Sequence, residues 1–426
     1  MSYHIFRKIG RTDRRSPMDQ QKIAEASPTL LMRAVNFFHT RCLVGFPWFW
    51  PSQPLGNHSM VHARRIVRQQ YGHGHRPVHR ALARVLVSIA WPPAVLLNLW
   101  QIRRSRGSEA VPIKQAPRAF WAAIRHNVIP GEYFAYALWR PDRRTNIDNY
   151  LYSKEGTRLF SLLNQRVQPD PIDDKLAFHE LCKARALPTP AVLAAFAPTA
   201  KLLEFESGRP PPHDLFVKPR NGLGGNGSER FRWQGGVFES NRGGCLTPEG
   251  LGEYLETRAR IENRTLLVQP ALSNHPKLGV DANDALATAR LVTGISLDGN
   301  VVLLFAIIYF GHPNQIVANG RVAVIDIANG RLMSAPQDFK GSDIGIGWDH
   351  ALTLPDWETL LRHIKVAHQA CSNFVFVGWD AALTEHGPML LEGNVNWCAD
   401  DYQRLRGEPL GYTKFADILS ARLQDD

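Results

Sequence analysis

Phe216-Val217-Lys218-Pro219-Arg220-Asn221-Gly222-Leu223-Gly224-Gly225-Asn226-Gly227-Ser228 sets one lysine in a short apolar run and then four glycines within six residues. Glycine has no Cβ, so such a loop can turn backbone N–H groups onto an anion without steric cost. A lysine just before it supplies a mobile point charge. Together they read as a cradle for the phosphates of a nucleotide. A flexible surface hairpin that binds nothing is the bland alternative.

Gly222, Gly224 and Gly227 also satisfy G-x-G-x-x-G, but a dinucleotide site needs a helix to open at the loop. Here Glu229-Arg230-Phe231-Arg232-Trp233 alternates as a strand does, and a turn comes next at Gln234-Gly235-Gly236. Strand, glycine loop, strand is a hairpin laid over phosphates, closer to a kinase Gly-rich loop. No Gly-Lys-Ser/Thr closes the turn, which excludes a P-loop.

A second constellation lies some 150 residues on. Gly378-Trp379-Asp380-Ala381-Ala382-Leu383 leads through Glu385-His386-Gly387-Pro388 to Leu390-Leu391-Glu392-Gly393-Asn394. A three-residue loop, Glu385 to Gly387 with Gly387 left-handed, puts Asp380 across from Glu392 with Asn394 on the same face. A two-residue loop at His386-Gly387 puts Asp380 on the opposite face. Facing like charges are unfavourable unless something offsets them. A divalent cation would do so, and carboxylate and amide oxygens suit Mg²⁺. A solvent-facing acidic hairpin is the competing reading, weakened by the apolar run Phe374-Val375-Phe376-Val377 beside it. Arg290, mid-strand in Ala289-Arg290-Leu291-Val292-Thr293, needs an anionic partner, either a protein carboxylate or a phosphate.

The 426 residues leave room for two or three domains, and 44% hydrophobic with 21% charged residues describes a globular chain. Five cysteines (Cys42, Cys182, Cys245, Cys371, Cys398) without a C-x-x-C pair read as reduced thiols of a cytoplasmic protein. No apolar h-region marks a cleaved signal near the start. Charge is uneven: residues 1–168 hold 26 Lys and Arg against 8 Asp and Glu, whereas the remainder has 24 against 31. That break sets off a basic, mainly helical region 1–168, in pieces broken by Pro47, Pro51, Pro54 and Pro77, from the more acidic remainder. Such a basic arm suggests an anionic partner or simply a solvated surface. Val85 to Trp100 is a 16-residue, mostly apolar run interrupted by Pro92-Pro93. It falls short of the ~20 residues needed to span a bilayer. A buried core helix and a peripheral membrane contact through residues 60–110, at the inner face of the membrane, both remain open. A nucleic-acid partner is not expected, and a homodimer is an open alternative to a monomer.

From Pro169 onward the pattern predicts α+β structure with antiparallel sheets. Asp173-Asp174 cap a helix from Lys175 to about Ala186. A strand is expected at Ala191 to Phe196, a helix from about Pro248 to Asn263, and a strand at Thr265 to Gln269. Asp298-Gly299 joins Thr288–Ser296 to Asn300–Phe310, and an amphipathic helix covers Asp356 to Ser372.

In this order the pieces resemble the ATP-grasp fold. More narrowly, Asp174-Lys175, Phe216-Val217-Lys218-Pro219, Gly224-Gly225-Asn226-Gly227 and Gly378-Trp379-Asp380…Leu391-Glu392-Gly393-Asn394 resemble the sugar-transfer-associated ATP-grasp proteins. The resemblance covers about Asp170 to Glu408, with weaker similarity around Ile129-Pro130-Gly131-Glu132-Tyr133. It implies N-terminal and lid subdomains over 169–275 and a C-terminal subdomain over 276–426. It implies an ATP- and Mg²⁺-dependent ligase joining a carboxylate to an amine through an acylphosphate, on a saccharide or cell-envelope precursor. A phosphotransferase, or a membrane-associated nucleotide-binding protein without turnover, is the alternative. In the resemblance Lys175 and Lys218 hold the α- and β-phosphates, and the loop of Gly222, Gly224, Gly225 and Gly227 closes over the triphosphate. Gln269 faces adenine, Asp380, Glu392 and Asn394 bind magnesium, and Arg290 stabilises the transferring phosphoryl group. One departure is Asn319-Gly320-Arg321 with Val324-Ile325-Asp326, where family members pair glycines before Val-Asp. Asn314, Asn319 and Arg321 are the acceptor-pocket candidates there, against ordinary loop polarity.

Overall fold

A computed structural model describes residues 60–61, 89–104, 113–126, 128–164, 172–222, 224–280, 285–311, 316, 321–333 and 352–424. Pro47, Pro51, Pro54, Pro77, Asn314 and Asn319 lie outside them, as does Leu223 in the glycine loop. The described residues of Met1–Leu162 and Cys398–Asp426 form one compact unit, and those of Leu163–Ala335 and Asp343–Trp397 form another.

In the first unit, residues 89–104 are helical throughout and pack on α1 (Ala116–His126). Trp91 and Val95 bury against Ala123, and Trp91 Nε1 donates to the Ala123 carbonyl at 3.0 Å. Pro92-Pro93, expected to interrupt the apolar run, lie instead within the helical stretch 89–104, which continues past both of them. The helices Asp400–Arg406 and Lys414–Gln424 belong to this unit as well, whereas the resemblance implies a single subdomain over 276–426. Buried Gln403 explains the difference. Its Oε1 accepts from the Leu151 and Leu410 N–H groups, each at 2.9 Å, and its Nε2 donates to the Leu151 carbonyl at 2.8 Å. A buried amide satisfied this fully is anchored to partners distant in sequence, which no local pattern announces.

The second unit is α+β with two antiparallel sheets. The seven-stranded sheet runs β2 (Lys201–Leu203), β1 (Ala194–Phe196), β7 (Leu266–Pro270), β3 (Leu215–Pro219), β4 (Glu229–Gln234), β5 (Val237–Ser240), β6 (Cys245–Leu246). Leu215, Val217, Leu266 and Val268 turn one face onto Leu251, Leu255 and Ala259 of the helix Pro248–Glu262. Alternation leaves Phe216, Lys218, Leu267 and Gln269 on the other face, since Phe216 pairs with Gln269 and Lys218 with Leu267.

The six-stranded sheet runs β11 (Leu332–Met333), β10 (Arg321–Ile325), β9 (Val301–Phe310), β8 (Thr288–Ile295), β12 (Phe376–Thr384), β13 (Gly387–Asn394). Its core face carries Leu291, Ile308, Val377 and Trp379, packed on Phe178 and Cys182 of α2 (Lys175–Ala184) and on Leu360 and Ile364 of α3 (Trp357–Ala370). Burying that face leaves Arg290, Asp380, Glu392 and Asn394 on the opposite one.

The closing hairpin reaches the expected register by a different route. Its loop is Glu385-His386, flanked by the pair Thr384 and Gly387, so neither the three-residue loop nor a turn at His386-Gly387 forms. Gly387 does take positive φ, +97°. A two-residue loop alone would put Asp380 opposite Leu391. A β-bulge corrects this: Ala381 pairs with Leu390 and Asp380 with Glu392, leaving Leu391 as the extra residue. Bulges re-aim side chains near functional sites, and this one turns Glu392 back to the face of Asp380.

Candidate active site

Asp174 caps α2, accepting from the N–H groups of Leu176 and Ala177 through Oδ1 at 3.0 and 3.2 Å. The same carboxylate takes Arg220 Nε at 2.8 Å and Arg220 Nη2 at 2.6 Å. Burial opposes the Asp174 charge, but Arg220 and the cap hold its pKa below the ordinary carboxylate value. This clamp fixes the first residue of α2, Lys175, against the end of β3; the Lys175 N–H also donates to the Arg220 carbonyl at 3.2 Å. Sequence reasoning reads Asp174 as a cap alone and misses Arg220. The bidentate partner stands in plain view two residues after Lys218, but pairing across 46 residues leaves no periodic mark.

Lys175 Nζ lies 3.3 Å from Glu392 Oε2 and donates to the Gly222 carbonyl at 2.6 Å. It therefore touches both the mouth of the glycine loop and the acidic hairpin. Lys218 enters the same region from β3. Burial lowers its ammonium pKa to about 8, with Glu392 opposing the shift and Lys175 adding to it. Burial works against the Glu392 carboxylate in turn, yet Lys175 and Lys218 keep it ionised below its ordinary range.

Arg290 and Asp380 are directly paired across β8 and β12, with Nε to Oδ1 at 2.7 Å and Nη2 to Oδ2 at 2.6 Å. The anionic partner of Arg290 is thus a protein carboxylate. Burial disfavours the guanidinium charge, but Asp380 more than offsets it and raises the pKa of Arg290. The Asp380 carboxyl is lifted by burial, against the pull of Arg290, with Glu392 adding to the rise. The guanidinium also lies over the Tyr309 ring, 5.8 Å from its centroid. Asn394 Nδ2 stands 3.4 Å from Asp380 Oδ2 and 3.4 Å from Glu392 Oε1. The facing carboxylates, expected to need a divalent cation, are each offset by a protein cation: Arg290 for Asp380, the lysines for Glu392.

Two carboxylates and one amide on one sheet face are hard oxygen donors, a set that fits magnesium retaining part of its water shell. Among the described residues no group of three His, Cys, Asp or Glu side chains is placed to hold a metal; the third oxygen donor in this set is the Asn394 amide.

Gly222, Gly224, Gly225 and Gly227 all have positive φ, between +67° and +127°, a backbone that other residues rarely adopt. Beneath the loop Glu229 is buried and paired with Arg258 Nη1 at 2.8 Å, and Arg258 also donates to the Gly227 carbonyl. Tyr254 OH and Ser240 OH complete the shell of Glu229. The loop thus stands on a buried ionic base that the sequence reading did not identify. Gln269 shares the face of Lys218, but its Nε2 donates to the Pro190 carbonyl at 3.1 Å. Arg321 opens β10, paired with Phe310.

The family model for sugar-transfer associated ATP-grasp proteins matches residues 154–411. This chain belongs to that family. No curated protein sequence matches it. Among solved structures the ATP-grasp chain is similar to an L-amino acid ligase from Bacillus licheniformis, at 13% identity and TM-score 0.36, over 62% of this chain and 52% of that one. It thus spans about half the length of that ligase. It is similar also to D-alanine–D-alanine ligases from Bacillus anthracis (14% identity, TM-score 0.35, 60% of this chain, 69% of that one). The Helicobacter pylori counterpart gives 12% identity and TM-score 0.35, over 64% and 68%. The ATP-grasp assignment rests on the family match and on the antiparallel sheets that carry its motifs, not on these distant likenesses.

Proposed function

We propose that this ATP-grasp protein is an ATP- and Mg²⁺-dependent ligase that joins a carboxylate to an amine through an acylphosphate. One observation carries the reading: Lys175 of α2 and Lys218 of β3 converge on Glu392 beside the glycine loop, and Glu392 shares its sheet face with Arg290, Asp380 and Asn394. Three cations around two carboxylates suit a substrate that brings several negative charges and a metal of its own. In that reading Lys175 and Lys218 bind phosphate oxygens, and the loop from Gly222 to Gly227 directs its N–H groups at the triphosphate and excludes water. In the same reading β7, which carries Gln269, would border the base. Asp380, Glu392 and Asn394 would hold magnesium, which supplies charge neutralisation between the phosphates when bound. Arg290 stabilises charge on the transferring phosphoryl group. No side-chain nucleophile is required, because phosphoryl transfer rests on positioning and charge.

The covalent balance is simple. A substrate carboxylate oxygen bonds to the γ-phosphorus as the bond to ADP breaks. The amine nitrogen then bonds to the carbonyl carbon, loses a proton, and phosphate leaves. A saccharide-linked or cell-envelope acceptor is favoured by the family's association with sugar transfer, which is analogy rather than geometry. The test is ADP and phosphate release by the purified full chain against pooled carboxylates and amines. Release of both should require both acceptors, and Lys218→Ala and Glu392→Gln should each abolish it. Activity surviving both substitutions would overturn the site. A phosphorylated single acceptor without free phosphate would convert the reading to a phosphotransferase.

A further inference from the structure

The helix over residues 89–104 has apolar side chains on both of its faces. Trp91 and Val95 are buried against α1, while Ile89, Leu96 and Trp100 point outward at 67%, 56% and 56% exposure, with Pro93 between them also exposed. The spacing 89, 93, 96, 100 is one helical stripe. A helix on an aqueous surface carries charge along such a stripe, yet no charged residue occurs from Ile89 to Ile102. Arg103 and Arg104 come directly after, both exposed, and the Arg104 guanidinium lies 5.2 Å from the Trp100 ring centroid.

The neighbouring helix repeats the arrangement. On α1, Trp121 is 66% exposed, and Arg118 and Arg125, one turn to either side, are exposed with it. From Ile89 to His126 the chain has six Lys and Arg residues and one acidic residue, Glu109. Outward tryptophan and leucine bordered by arginine is the composition of a helix lying in the headgroup region of a membrane, where the indole sits at the apolar boundary and the cation meets lipid phosphate. No helix among the described residues is long and apolar enough to cross a membrane.

We propose that the helix over 89–104 and α1 form a docking face for an anionic bilayer surface, with Leu96, Trp100 and Trp121 entering the interface and Arg103, Arg104, Arg118 and Arg125 meeting lipid phosphates. The positive charge argues for a lipid surface over a second copy of the chain, since two copies of this basic face would repel. The inference is independent of the ligase reading.

The experiment is co-sedimentation of the full chain with vesicles of phosphatidylcholine alone and of phosphatidylcholine with phosphatidylglycerol, at low and high salt. The wild-type chain should bind the anionic vesicles, with weaker binding at high salt. Leu96→Gln, Trp100→Gln and Trp121→Gln combined should lower the partition roughly tenfold or more. Arg118→Gln with Arg125→Gln should weaken binding to anionic vesicles selectively. All these positions are exposed, so an unchanged thermal melt verifies folding. Equal binding to both vesicle types, no binding, or full binding by the triple variant would each overturn the proposal. So would a stable wild-type dimer in solution that the triple variant converts to a monomer, because a second copy would then cover the face.

Discussion

Arg290 and Asp380 face one another across β8 and β12, joined by two charge-assisted hydrogen bonds of 2.7 and 2.6 Å. Arg290 pulls against the burial that lifts the Asp380 carboxyl, and the pair leaves Asp380 beside Glu392 with 10% of the Asp380 side chain exposed. Removing one partner strands the other charge. Arg290→Ala should therefore cost about 3–5 kcal/mol of stability, whereas Arg290→Met with Asp380→Leu should recover most of it. Neither variant should turn over. Urea denaturation and ADP release measured side by side check both halves.

The glycine loop offers a graded comparison. At Gly224, φ is +67° and a Cβ would meet open space, so Gly224→Ala carries only the left-handed penalty of about 1–2 kcal/mol. At Gly227, φ is +84° and a Cβ would approach the Pro219 ring to 3.0 Å. Gly227→Ala should be the more destabilising, displacing the loop from β3, and should weaken ATP binding further. Thermal melts and nucleotide titrations rank the two; the reverse order would contradict the placement of the loop.

His368 behind the site is neutral for a structural reason. Trp379 Nε1 donates to Thr293 Oγ1 at 2.8 Å, Thr293 Oγ1 meets His368 Nδ1 at 2.7 Å, and His368 Nε2 meets the Phe374 carbonyl at 3.0 Å. The Phe374 carbonyl requires a proton on Nε2, so Nδ1 accepts from Thr293. Burial lowers the imidazole pKa to about 4. The folded chain thus resists a proton that the unfolded chain takes up near 6.5. Stability should be intact above that value and fall by about 3 kcal/mol between pH ~6.5 and ~4. His368→Gln should flatten this slope in chemical denaturation carried out across that range.

Lys218, its pKa lowered to about 8 by burial, is a cation below that pH and loses its charge above it. Nucleotide affinity of the free protein should accordingly decline as pH rises through about 8. Lys218→Arg should move that decline to higher pH, because a guanidinium stays protonated. Calorimetric titrations over pH 7–10 measure the shift.

Much of the site was legible in the sequence because its motifs are local: Asp174-Lys175 at a helix start, Lys218 before clustered glycines, Arg290 mid-strand, Asp380 and Glu392 on one hairpin. What was illegible depends on distant pairing. The bulge at Leu391 is invisible to loop counting, which reached the right pairing of Asp380 with Glu392 through the wrong turn. The Asp174–Arg220 clamp and the Glu229–Arg258 base join segments far apart in the chain, and surface charges and buried ones look alike in sequence. Cys398–Asp426 joins the N-terminal unit through scattered long-range bonds, Gln403 to the Leu151 backbone, Tyr136 to Asp400 and Tyr150 to the Gly407 carbonyl among them, and single residues carry no pattern.

In the proposed site the Asp380–Glu392–Asn394 face binds a metal together with nucleotide phosphates held by Lys175 and Lys218. Calorimetric titration of ATP, with and without magnesium, into the wild-type chain and Glu392→Gln tests it most directly. The wild type should bind ATP more tightly with magnesium, and Glu392→Gln should lose that enhancement while still binding free ATP through the lysines. Equal magnesium enhancement in both proteins would contradict the assignment.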